Sequence, residues 1–240
     1  MSLPKIDLPI YELTIPSTGK TVKVRPFLVK EEKLLLMAVA SKDDQQIIDT
    51  TKQIINNCIL DETELSKMTF FDIDYLFISL RAKSVGETVD VNFKCNTPTE
   101  DGGRCGFIFP VPIDIANVKV YNMDTPKSIE LTPKISVKMK YPSYDVMRIL
   151  SSKEDDFSKT IKLIAACVER VFDGENTYTP KDYSTEEFEA FIEGMTEQQF
   201  KKLEDFVKNL PYFVITAEEE CPKCKTKHKA EYKDFTSFFR

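Results

Sequence analysis

Histidine and glycine are scarce in this chain: one of the first and seven of the second in 240 positions. No G-x-x-x-x-G-K-[ST] loop and no G-x-G-x-x-G turn is present, so the familiar glycine-rich cradles for nucleotide phosphates are missing. A Ser-His-Asp arrangement would have to use His228, four residues past Cys224, and no G-x-S-x-G frames a nucleophile. An excess of positive charge is also lacking. The 33 Lys and Arg face 39 Asp and Glu, a net −6, whereas a broad phosphate-binding surface needs clustered cations. No apolar run approaches the ~18 residues of a membrane span. The first ten residues alternate and are broken by Pro4 and Pro9, unlike the apolar core of a signal peptide. The expectation is a cytosolic protein that is not an enzyme, does not insert into membranes and does not bind nucleic acid broadly. In that compartment thiols stay reduced, and cysteine patterns favour metal over disulfide.

What is present is globular: 42% hydrophobic, 11% aromatic and 30% charged residues, long enough for one large or two small domains. In chain order, residues 10–27 read as a β-hairpin turning at Pro16–Lys20, and 29–40 as an apolar helix. Ile47, Ile48, Thr51, Ile54, Ile55, Cys58 and Ile59 set a helical stripe over 43–59. A helix capped at Thr69 runs to about Lys83, and 85–93 alternates like a strand. The second half offers similar events: a hairpin at 128–142, a short helix over 143–151, and a stripe of Phe157, Ile161, Ile164, Cys167, Val168 and Val171. A helix with a Thr196-x-x-Gln199 capping box follows, then a strand over 213–220 and a returning one over 229–235. Met195 follows Met68 by 127 positions and Cys221 follows Cys95 by 126. The expectation is an α+β fold of two pseudo-repeated halves, 1–121 and 122–240. Each would hold a β-hairpin, about three helices and a cysteine-bearing β-ribbon, with a linker near 114–126.

Four of the six cysteines lie at the tips of those ribbons: Cys95 and Cys105 with nine residues between them, and Cys221 and Cys224 with two between them. A closed structural zinc site takes four N or S ligands, so these thiolates are expected to join around one Zn2+ in a zinc-ribbon-like site. The alternatives are buried thiols and disulfide or redox chemistry. His228 could replace one sulfur, or simply face solvent from a strand. Cys58 and Cys167 sit on apolar stripes and read as core residues. Asp61, Glu62, Asp72 and Asp74 fall near helix starts, where acids answer the macrodipole without catalysis. Glu218, Glu219 and Glu220 read as a solvated face. Tyr232, Phe235, Phe238 and Phe239 form an aromatic tail, suited either to anchoring a partner or to packing on its own ribbon.

The order of the first hairpin (Thr21–Phe27), the two helices after it, the Asp72-Ile73-Asp74-Tyr75-Leu76 helix and the Val89–Cys95 strand resembles the small baseplate proteins of T4-like tailed phages. The Cys221-Pro222-Lys223-Cys224 string and the Phe235–Phe239 tail fit the same likeness. That family includes the baseplate hub subunit and the baseplate hub assembly catalyst. The resemblance implies a non-enzymatic protein made in the infected bacterial cytoplasm that helps build the hub of a contractile tail, either as a component of the virion tail or as a transient assembly factor. Its partners would be other phage baseplate hub or tail proteins. The helices after the first hairpin are similar, more distantly, to tail assembly chaperones. From a different class, a zinc-ribbon nucleic-acid or transcription module is the alternative.

Overall fold

The structure, a computed structural model, describes residues 6–116, 118–146, 149 and 152–232. The first hairpin pairs Tyr11–Thr14 (β1) with Thr21–Val24 (β2), Tyr11 opposite Val24 and Thr14 opposite Thr21. Its alternation aims Leu13, Ile15, Val22 and Val24 inward, and all four are buried. Two helices follow, Val29–Ser41 (α1) and Asp44–Cys58 (α2). Asp43 caps α2 by accepting the N–H groups of Gln45 and Gln46 at 2.9 and 3.3 Å. The stripe of Ile48, Ile54, Ile55 and Cys58 is buried, as its helical spacing requires. Next come Phe70–Val85 (α3), Thr88–Lys94 (β3), Ile108–Asp114 (β4) and Lys119–Tyr121 (β5).

Beyond β5 the chain forms Ser128–Glu130 (β6), Ser136–Met139 (β7), Asp156–Cys167 (α4), Val168–Phe172 (β8), Thr177–Tyr178 (β9), Thr185–Glu193 (α5) and Glu197–Lys208 (α6). Tyr212–Glu220 (β10) and Lys227–Tyr232 (β11) complete the described chain. The result is a mixed α+β fold whose sheets are small and antiparallel: β1-β2, β3-β4, β11-β10-β5 and β6-β7-β8-β9. The capping box at α6 forms as its sequence specifies. Thr196 N–H donates to Gln199 Oε1 at 3.0 Å, and Gln199 N–H donates to Thr196 Oγ1 at 3.4 Å. Two local expectations change. The stripe through Val171 divides, because α4 ends at Cys167 and the β-branched Val168 and Val171 enter β8. Of the short helix over 143–151, the described residues show a 3-10 turn at Tyr144–Val146 and a helical Ile149, and residues 147, 148, 150 and 151 lie outside the described residues.

Two compact units result. One takes the described residues of Met1–Thr63, Asp72–Tyr121 and Tyr212–Arg240; the other takes those of Glu64–Phe71 and Asn122–Pro211. The chain leaves the first unit after Tyr121 and re-enters it at Tyr212, so all four ribbon cysteines belong to one unit. That unit's core includes Phe77, Phe213, Ile54, Ile73, Leu76, Leu80 and Ile113, all essentially inaccessible. The other unit packs Val137, Met139, Ile164, Cys167, Val168 and Leu203, with Phe71, Tyr141 and Phe206 in ring contact. Each unit fastens a hairpin strand to a helix end through a buried cysteine. Arg25 N–H donates to the Cys58 carbonyl at 2.9 Å, and Lys140 N–H donates to the Cys167 carbonyl at 2.7 Å.

A buried ion pair sits where the first hairpin meets α1. Glu31 is fully buried and accepts Arg25 Nη2–H at 3.0 Å and Leu28 N–H at 2.8 Å. Burial alone would push the Glu31 carboxyl up, but the hydrogen bonds from Arg25 and Leu28, with the charges of Arg25 and Lys30, hold it below its ordinary value of 4.5. A carboxyl depressed by folding stabilises the fold above its unfolded value and loses that contribution as pH falls through the lower folded one. Glu31→Gln, which leaves Arg25 without its anion, should therefore cost about 3 kcal/mol near neutral pH. In urea unfolding followed from pH 7 to pH 3, the variant's deficit should shrink on acidification. A deficit that stays constant across that range would contradict this assignment.

Candidate metal centre

The two cysteine ribbons use the same local hydrogen-bond pattern. β3 and β4 pair from Thr88 opposite Asp114 to Lys94 opposite Ile108, delivering Cys95 at the tip. Cys95 N–H donates to the Phe107 carbonyl at 2.8 Å, and Gly106 N–H returns to the Cys95 carbonyl at 2.9 Å. In the other ribbon β10 and β11 pair as far as Glu220 opposite Lys227. Cys221 N–H donates to the Thr226 carbonyl and Lys225 N–H to the Cys221 carbonyl, both at 2.9 Å. In each loop the residue after the second cysteine turns left-handed: Gly106 at φ 66° and Lys225 at φ 58°. Glycine takes that conformation freely and lysine only at some cost, so the second tip carries backbone strain.

The loose nine-residue spacing has a local explanation. Between Cys95 and Cys105 the chain makes a small excursion closed on itself: Thr99 N–H donates to the Gly103 carbonyl at 3.0 Å, Pro98 bridges to Arg104, and Cys105 N–H donates to the Thr97 carbonyl at 2.9 Å. The excursion returns Cys105 to the position Cys224 reaches after two residues. Four sulfurs therefore converge, all within 4.8 Å of one another. Cys95 Sγ is 3.6 Å from Cys224 Sγ, and Cys105 Sγ is 3.9 Å from Cys221 Sγ. Zinc bound tetrahedrally at ~2.3 Å from each sulfur would space them about 3.8 Å apart, whereas a disulfide needs about 2.05 Å. Cys95, Cys105 and Cys221 are buried and Cys224 is half-buried. The spacing and the soft donors fit a metal ion.

The electrostatics of the thiols are uneven. The Thr226 hydroxyl and backbone N–H, helped by Thr97 and Cys95, draw Cys224 down to about 5 against the effect of burial. At Cys105 the Phe107 N–H pulls downward, but burial and the neighbouring thiols Cys95, Cys224 and Cys221 prevail and push it up to about 11. Thiolates this close repel one another, and a cation among them would offset that repulsion.

The remaining sequence candidates are placed as follows. His228 lies beside the cluster, its Nε2 3.2 Å from Cys95 Sγ. Cys58 and Cys167 are buried helix-end residues, with burial pushing their thiols up to about 11 and about 12. Asp61 accepts Lys23 N–H at 2.6 Å, and Asp72 accepts the N–H and hydroxyl of Ser17 at 2.8 and 2.6 Å, so both bind backbone or loop groups. Glu218 is exposed and pairs with Lys229 at 3.6 Å across the ribbon. Tyr232 is half-buried opposite Ile215, while Phe235, Phe238 and Phe239 lie outside the described residues. Sequence reasoning missed Thr97 and Thr226, whose hydroxyls stand 3.2 and 3.4 Å from Cys95 and Cys224. A signal was available, since Cys-x-Thr occurs at both 95–97 and 224–226.

A family model described as T4 bacteriophage base plate protein matches residues 8–240 of the chain. No curated protein and no solved structure gives a match.

The geometry separates the six cysteines into two classes by a single measurement. Metal analysis should find one ion per chain in wild type, and loss of it on replacing Cys95, Cys105, Cys221 or Cys224 with Ser. Cys58→Ala and Cys167→Ala should keep the ion while costing about 1 kcal/mol each, as small core deletions do. Equal metal loss in all six variants would contradict the division.

Proposed function

The chain belongs to the T4 bacteriophage base plate protein family, and from that membership we propose that it is a non-enzymatic baseplate hub protein acting in hub assembly through protein–protein contacts. The family match over residues 8–240 is the observation that carries this reading. Its partners would be other hub or tail proteins of the phage, met in the host cytoplasm during assembly. The chain would then remain in the tail as a subunit or leave as an assembly factor. The zinc assignment is a second element of the proposal. Cys95, Cys105, Cys221 and Cys224 would hold one structural Zn2+, supported by their spacing and by the matching hydrogen bonds of the two tips. Four thiolates fill the tetrahedron, which leaves no open coordination position for catalysis. Bound by the folded state and weakly by the unfolded one, such an ion adds its binding energy to folding.

Two pseudo-repeated halves, 1–121 and 122–240, are part of the same reading. What supports them is the recurrence of a hairpin strand fastened to a helix-end cysteine at Cys58 and Cys167, and of a strand leading to a cysteine tip at Cys95 and Cys221. The aromatic residues Tyr232, Phe235, Phe238 and Phe239 are the proposed partner contacts, since aromatics are favoured interface anchors. The nucleic-acid alternative draws on one observation: Lys223, Lys225, Lys227 and Lys229 are all exposed along the second ribbon. The net charge of −6 opposes it.

The test is a pull-down of the tagged chain from infected cells, compared with the protein content of purified particles. Recovery with other baseplate proteins is expected, and presence in particles would identify a subunit rather than a helper. Recovery with neither baseplate proteins nor particles would overturn the reading. A salt-sensitive shift of DNA or RNA by the purified chain would favour the nucleic-acid alternative.

A further inference from the structure

His228 is the only histidine of the chain and lies on β11, the strand that leaves the second cysteine tip. Its ring rests against Phe93 of β3, with centroids 5.0 Å apart. Its Nε2 reaches 3.2 Å from Cys95 Sγ and 3.4 Å from Thr97 Oγ1. The side chain therefore crosses from one ribbon to the other and ends at a sulfur of the facing tip. It stands outside the set of mutually close ligand atoms, which among the described residues consists of the four sulfurs. Those four already satisfy a tetrahedral ion.

We infer that His228 is a positioning residue for the metal set: its Nε2–H donates to Cys95 Sγ and fixes that sulfur from the opposite ribbon. This inference rests on the metal-site reading above. At Cys224 the sulfur meets a group of its own tip, the Thr226 hydroxyl at 3.4 Å. Cys95 takes part of its support across the ribbons instead. A donor to a ligating thiolate spreads its negative charge and limits the rotamers it can visit, so the sulfur stays aimed at the ion. The Phe93 ring packs against the imidazole, the two planes inclined at 45°. His228 thus ties the ribbons together by a route separate from the shared ion, and its loss should let the ion escape faster without changing which atoms bind it.

Two variants separate the hydrogen bond from the packing. His228→Phe keeps an aromatic ring against Phe93 and removes the donor. His228→Gln removes the ring and keeps an N–H at similar reach. The full chain would be loaded with cobalt(II) to read the ligand set from its absorption spectrum, and with zinc to time release to a chromogenic chelator. All three proteins should show the same four-sulfur cobalt spectrum. Zinc should leave His228→Phe about 10-fold faster than wild type, or more, and His228→Gln within about 3-fold of wild type, the scale expected for a residue behind a ligand. A cobalt spectrum that changes in both variants would make His228 a ligand and overturn the inference. So would unchanged release from His228→Phe, or faster release from His228→Gln than from His228→Phe. Wild-type protein that takes up neither metal would instead remove the metal-site reading, and this inference with it, before any variant is compared.

Discussion

Mutual repulsion among four sulfurs is the constraint on which the ribbon unit turns. Two thiolates 3.6 Å apart repel by about 4–5 kcal/mol at an effective dielectric near 20. A cluster in which every pair lies within 4.8 Å thus cannot be fully ionised by itself. Protonated, the four groups are weak hydrogen-bonding partners that hold the tips loosely. Ionised around a divalent cation, they become the strongest contact available to two ribbons with small apolar faces.

The path of the chain gives this constraint its reach. β10 and β11 return from the second unit, and β10 pairs with β5, Tyr212 opposite Tyr121. The Tyr121 and Tyr212 rings stack at 5.9 Å beside that pairing. The second ribbon is therefore tied to β5 at its base by backbone hydrogen bonds, and at its tip its two sulfurs lie beside those of the first ribbon. An ion shared by the two tips would close a loop of about a hundred residues after β4, and a cross-link between distant segments removes much of the freedom of the unfolded chain.

Much of this was legible in the residues. The stripe on α2 and the Thr196 box on α6 form helices as their periodicity and capping demand, and the four tip cysteines converge as their ribbon contexts imply. What escaped depends on contacts distant in sequence. Lys119–Tyr121 reads as linker because three residues carry no periodicity, and only pairing with β10 makes them a strand. The returning strand expected of the first cysteine ribbon forms as β4 in spite of Pro110 and Pro112, because it pairs on one side alone in its two-stranded sheet, where proline is tolerated. The α5 helix at Thr185–Glu193 was missed although Ser184 and Glu187 form a full capping box. His228 could be read as ligand or as surface, and the choice needed Cys95 and Phe93 beside it.

The central claim, that the two tips share one zinc ion held by sulfur alone, is tested most directly by zinc-edge X-ray absorption on the purified protein. The account predicts a single shell of four sulfurs at about 2.3 Å. A protein without bound zinc, or a shell in which nitrogen or oxygen replaces part of the sulfur, would contradict it.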